Sequence, residues 1–141
     1  MMIEPYLFFN GRCEEALRFY EQAFGAKIEG VKRFREGPAP PPEGSLPEGW
    51  QDKIMHASFL IGDARVMVSD GNRSEPPQFR GFALNVNFVD EGQARRVFER
   101  LSEGGRVDMP IGPTFFAACF GMVTDRFGVQ WMVMVPLPPG A

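Results

Sequence analysis

Two stretches of this chain present the same apolar face at helical spacing, 78 residues apart. In "CEEALRFYEQAFG" (13–25) the apolar residues Ala16, Leu17, Phe19, Tyr20, Ala23 and Phe24 follow the i, i+3, i+4, i+7 pattern of one helix side. In "EGQARRVFERLSEGG" (91–105), Ala94, Val97, Phe98 and Leu101 superpose on Ala16, Phe19, Tyr20 and Ala23. Glu14 and Glu15 suit the positive end of the first helix, and Gly25 suits its stop. An apolar run precedes each helix: "PYLFFNG" (5–11), and "FALNVNFVD" (82–90) with Leu84, Val86 and Phe88 alternating. Three extended stretches follow each. In the first half they are "AKIEGVKRFR" (26–35), "KIMHASFLIG" (53–62) and "ARVMVSDG" (64–71), the last two joined by a tight turn at Gly62-Asp63. In the second they are "RVDMPIG" (106–112), "TFFAACFGMVTD" (114–125) and "VQWMVMV" (129–135), with Arg126-Phe127-Gly128 as the turn.

The chain therefore reads as a repeat of strand, helix and three strands, an α+β fold of two βαβββ modules. One domain spanning 1–141 is expected, with module one at about 1–71, a linker at about 72–81 and module two at about 82–136. A module of this size cannot bury both faces of its sheet alone. The economical arrangement sets each helix on an outer face and leaves two cupped faces around a cavity. Fourteen Phe and eight Met exceed what a minimal core needs, and such side chains also line small-molecule pockets. "EGPAPPPEGSLPEGW" (36–50), with five prolines and three glycines, is incompatible with a core helix or central strand and reads as a long loop.

Charge and cysteine content exclude several classes. A net charge of −3 with dispersed Lys and Arg gives no footprint for nucleic acid. Two cysteines, Cys13 and Cys119, make neither a disulfide framework nor a zinc motif. No charged segment followed by an apolar stretch opens the chain, and no apolar run is long enough to span a membrane. A cytoplasmic protein is the expectation.

His56 is the only histidine. Alternation along 53–62 sets Ile54, His56 and Ser58 on one side and Met55, Ala57 and Phe59 on the other. With the apolar set under the helix, His56 and Ser58 face the cavity. Three roles stay open for the imidazole: a structural group satisfied by a neighbour, a ligand contact, or a general base. Asn85 and Asn87 form an amide pair on one side of their strand. Tyr6 can bring a hydroxyl to the cavity, and Trp50 can close over it or anchor a dimer contact. Asp70 and Asp125 read as turn residues, and Cys13 opens the first helix without a partner base.

Three stretches taken in order, "PYLFFNGRCEEALRFYEQAFGA", "KIMHASFLIGDARVMVSD" and "TFFAACFGMVTDRFGVQWMVMVP", resemble PhnB-like proteins. These belong to the glyoxalase/bleomycin-resistance/extradiol-dioxygenase group, the vicinal oxygen chelate superfamily. The resemblance implies the glyoxalase-like fold of paired βαβββ modules and a homodimer. Many such proteins are labelled 3-demethylubiquinone methyltransferases, yet no Gly-rich loop opens a helix after a strand here. Metal-dependent members hold zinc, nickel or iron through His and Glu on the first and last strands of each module. The matching neighbourhoods here offer Pro5 or Tyr6, Val68 or Ser69, Leu84 or Asn85, and Met132 where such members have Glu. These are poor donors for a hard divalent ion, so no metal and no other cofactor is expected. The reading that follows is a small-molecule-binding protein with His56, Tyr6, Ser58, Asn85, Met132 and Trp50 as ligand contacts. A metal-dependent lyase, isomerase or dioxygenase, and a structural or regulatory homodimer without ligand, are the alternatives.

Overall fold

A computed structural model describes residues 1–140 and divides the chain into two compact units, Met1–Pro77 and Gln78–Ala141. In the first unit, β1 (Tyr6–Phe8) leads into α1 (Cys13–Phe24), then β2 (Lys27–Arg33), β3 (Ile54–Ile61) and β4 (Ala64–Ser69). The sheet order is β1-β4-β3-β2, with β1 parallel to β4 and the other pairs antiparallel. The second unit repeats the order with β5 (Leu84–Asn87), α2 (Glu91–Ser102), β6 (Arg106–Gly112), β7 (Ala117–Thr124) and β8 (Gln130–Pro136), arranged β5-β8-β7-β6. Each half thus holds the expected βαβββ module in a four-stranded mixed sheet. The two helices have the same length of 12 residues and start 78 residues apart.

In the first unit, α1 buries Ala16, Leu17, Phe19, Tyr20 and Ala23. The sheet supplies Leu7, Ala57, Phe59, Val66 and Val68, all on alternate positions, together with Phe9 just past β1. Tyr20 is the hub, its ring 5.2 Å from Phe59, 5.6 Å from Phe19 and 6.2 Å from Phe9. Gly25 takes a left-handed conformation and returns its N–H to the Glu21 carbonyl, which ends the helix.

The N-terminus of α1 has no side-chain cap of its own. Asp70, expected as a turn residue, supplies the acceptors from beyond the end of β4 and is fully buried. Its Oδ1 accepts from the Gly11 N–H at 2.7 Å and the Cys13 N–H at 2.8 Å, and its Oδ2 from the Ile54 N–H at 2.9 Å. The short stretch between β4 and the linker is therefore a core element. Chain distance hid this, because the three donors lie 16 to 59 residues away in sequence.

In the second unit, Ala94, Val97, Phe98 and Leu101 of α2 cover a face carrying Val123, Trp131, Val133 and Val135. The Asp90 carboxylate accepts from the Gln93 N–H at 2.8 Å and caps α2. Gly121 of β7 is necessary for this packing. A Cβ there would stand 2.7 Å from the Phe98 ring and 2.9 Å from the Ile111 backbone. Asp125 is the hairpin residue expected, but its carboxylate is also buried, accepting from the N–H groups of Phe127 and Val129 and from the Trp131 indole at 2.8 Å.

Asp70→Ala should lower the unfolding free energy by about 3 kcal/mol, because it strands three buried amide donors. The exposed turn variant Asp63→Ala should change it by less than about 0.5 kcal/mol. Denaturant titration of both variants checks this, and equal stabilities would remove the claimed role of Asp70.

Candidate functional site

The pairing registers decide which side chains share the sheet face that α1 leaves open. Tyr6 pairs with Met67 and Phe8 with Ser69, while Ser58 pairs with Met67. On β2, Lys32 pairs with His56 and Glu29 with Ser58. Since paired residues project to the same side, one face carries Tyr6, Phe8, Met67, Ser69, His56, Ser58, Lys32 and Glu29. The apolar alternates lie beneath α1. His56 and Ser58 are thus on the face opposite the helix, as the strand pattern predicts.

On this face Tyr6 Oη lies 3.2 Å from His56 Nδ1, with the two ring centroids 5.8 Å apart. Phe8 stacks on Tyr6 at 5.0 Å. Tyr6 and Phe8 remain 41% and 50% exposed, a large aromatic surface for residues whose neighbours Leu7 and Phe9 are fully buried. Burial of the phenol raises the Tyr6 pKa above its ordinary value, and the nearby Ser69 hydroxyl opposes part of the rise. Tyr6 is therefore a neutral donor and acceptor near neutral pH.

In the second unit the open face is amide and thioether. Asn85 pairs with Met132 and Asn87 with Met134, and Met122 pairs with both Met132 and Met109. Asn85 donates from Nδ2 to Asn87 Oδ1 at 2.9 Å, so the two amides do share a side. Met132, Met122 and Met134 are half-buried and Met109 is 43% exposed. A face built from flexible thioethers adapts to varied shapes.

Trp50 sits elsewhere. It is 6% exposed, its indole N–H donates to the Gly71 carbonyl at 2.7 Å, and its ring packs beside Gly11. The side chain, read from sequence as a lid or a dimer-contact anchor, is part of the first unit's core and joins the end of the proline-rich loop to the Asp70 region. The proline-rich segment, with Phe34 and Gln51, lines a separate cleft of about 260 Å³ that none of the candidate residues reaches. Lys32 escaped sequence reading altogether, and Ser69, read only as one of two strand-end alternatives, was not linked to His56. The signal that joins them to His56 is register, which a single strand does not reveal.

Two mixed sheets, each built from one βαβββ repeat with its helix on one side and its other side open, define a paired-module protein. The chain belongs to the Glyoxalase/Bleomycin resistance protein/Dioxygenase superfamily, whose pattern it matches over residues 3–133. It is 34% identical to protein YjdN of Escherichia coli K12 over 140 residues, covering 96% of this chain and 95% of that protein. Among solved structures it is similar to protein PA1353 from Pseudomonas aeruginosa, at 43% identity and a TM-score of 0.83, covering 96% of this chain and 98% of that one. It is also similar to a PhnB protein from Bacillus cereus, described as a putative 3-demethylubiquinone-9 3-methyltransferase. There the identity is 26% and the TM-score 0.78, covering 96% of this chain and 99% of that one.

The superfamily's metal-dependent members prompt a test of the residues present. Of the alternatives at the strand positions expected to supply ligands, those on the open faces are Tyr6 and Ser69 in the first unit and Asn85 and Met132 in the second, with Pro5, Val68 and Leu84 as their neighbours. Among the described residues no group of three or more His, Cys, Asp or Glu is placed to hold a metal ion. Asp70, the carboxylate closest in sequence to Ser69, has both oxygens committed to backbone N–H groups. Phenol, hydroxyl, amide and thioether do not make a hard divalent site, so the residues do not fit that group. No helix of the described residues is long and apolar enough to cross a membrane.

Both thiols are buried, and Cys13 stands beside the Asp70 carboxylate. Burial first, and then the negative charges of Asp70 and Glu14, push the Cys13 thiol well above its ordinary value; burial raises Cys119 as well. A raised thiol pKa keeps the proton on sulfur, so neither cysteine should react with a thiol reagent at about pH 8 in the folded protein. Both should react promptly in denaturant. Rapid native labelling of Cys13 would contradict the packing described.

Proposed function

We propose that the protein binds a small, partly apolar molecule on its open sheet faces without the help of a metal. The observation that supports this best is the Tyr6–His56 pair, held at 3.2 Å on the face opposite α1 and flanked by the exposed Phe8 ring. Polar groups with defined partners beside aromatic surface are the ingredients of a ligand site, in which apolar contact supplies affinity and a few hydrogen bonds supply orientation. Ser58 lies on the same face. Asn85 and Met132 extend the reading to the second unit, where an amide pair borders a thioether surface. Trp50 enters this reading only as support for the first unit's frame.

Methyl transfer, named for the Bacillus cereus relative, is not carried over. Two mixed four-stranded sheets offer no parallel sheet with a Gly-rich loop opening a helix, the usual frame for a nucleotide methyl donor. Pairing with a second copy is part of the proposal. Phe115 and Phe116 are exposed at 94% and 46%, and their rings contact each other at 5.2 Å, which gives a self-association surface a place to start. Sedimentation equilibrium should return twice the chain mass of 15.8 kDa.

A thermal-shift screen against a small-molecule library identifies the ligand class. His56→Ala should weaken a stabilising hit about tenfold by calorimetry, the worth of one well-placed hydrogen bond, with little change in the protein's own melting temperature. Unchanged affinity in that variant would take the His56 face out of the binding site.

A further inference from the structure

On the open face of the first unit the Tyr6–His56 hydrogen bond has a preferred direction. The Gly71 N–H donates to Ser69 Oγ at 2.9 Å. Ser69 is thus tied to its own strand end, and His56 is the hydrogen-bond partner of the Tyr6 hydroxyl among the described residues. A neutral phenol is a better hydrogen-bond donor than acceptor, and His56 Nδ1 lies within its reach at 3.2 Å. An Nδ1 that accepts leaves the ring proton of a neutral imidazole on Nε2. The second nitrogen of this half-exposed side chain is therefore a donor.

The charges around it point the same way. Lys32 is paired with His56 across β2 and β3, is exposed, and has no ion-pair partner among the described residues. Glu29, the carboxylate paired with Ser58, is 3.9 Å from Lys27 and 4.0 Å from Arg65, and Arg65 also lies 3.9 Å from Glu4. Acidic groups on this face are thus balanced, while one ammonium is left over beside the imidazole donor. We infer that the face selects a small carboxylate, with its charged end at His56 and Lys32 and an apolar or aromatic body against the Tyr6 and Phe8 rings. This rests on the small-molecule reading above and adds the ligand's chemical class.

Two measurements test it. Long-range ¹H–¹⁵N spectra of the neutral imidazole, at about pH 8, should show the Nε2–H tautomer in the wild type and a mixture in Tyr6→Phe. A dominant Nδ1–H tautomer in the wild type removes the Nε2 donor and overturns the inference with it. Phenylacetate and the neutral, similarly shaped phenylacetamide are then titrated while the His56 ring signals are followed. Phenylacetate should bind at least about fivefold more tightly, and Lys32→Gln should erase that preference. Equal affinities overturn the carboxylate inference but leave the binding reading standing. If neither probe binds, the inference fails as well, and the library screen tells whether the binding reading fails with it.

Discussion

A single buried carboxylate, Asp70, joins three stretches of the first unit that are remote in sequence. It receives the amides that open α1 and the amide that starts β3, from a position just beyond the end of β4. The Asp70 N–H also returns to the Ile54 carbonyl at 2.8 Å. Around this knot the Trp50 indole bonds Gly71 and the Lys53 ammonium bonds the Gly11 carbonyl. Leaving any of these donors without an acceptor in the core would cost more than one ordinary hydrogen bond contributes. The knot fixes where β3 begins, and His56 follows Ile54 by two residues on that strand. The position of the imidazole is therefore set by a residue that does not touch it.

The second unit reaches a similar economy with a different residue. Asp125 ties its hairpin turn to the Trp131 indole, while Asp90 caps the helix. In both units the helix buries the larger apolar set, and the remaining face is neither a second core nor an ordinary solvated surface. It is aromatic and imidazole in one unit, thioether and amide in the other. Divergence between two copies of one module gives the chain two chemically distinct faces on one kind of scaffold.

Much of this was legible in the sequence. Helical spacing at Ala16 and Ala94, alternation at Leu84 and Val86, and the turn at Gly62-Asp63 each report a local regularity, and each appears as expected. The strand leading into α2 is shorter than its apolar run, because Phe88 lies past the last parallel pair. What was not legible depends on pairing. Asp70 looks like a turn residue until its distant donors are known, and Trp50 looks like a loop residue until Gly71 and Gly11 are placed beside it. The same holds for the site. Period two put His56 and Ser58 on one side, but the partnership with Tyr6 and the nearness of Lys32 come from register between strands.

Binding without a metal is the claim on which the functional account stands, and it follows from the donors that occupy the strand positions. Protein treated with chelator, then compared with protein supplied with zinc, nickel or ferrous iron, tests it directly when each is titrated with a stabilising ligand. The account predicts the same affinity in every preparation. Affinity lost on chelation and restored by one of these ions at a one-to-one ratio would contradict it.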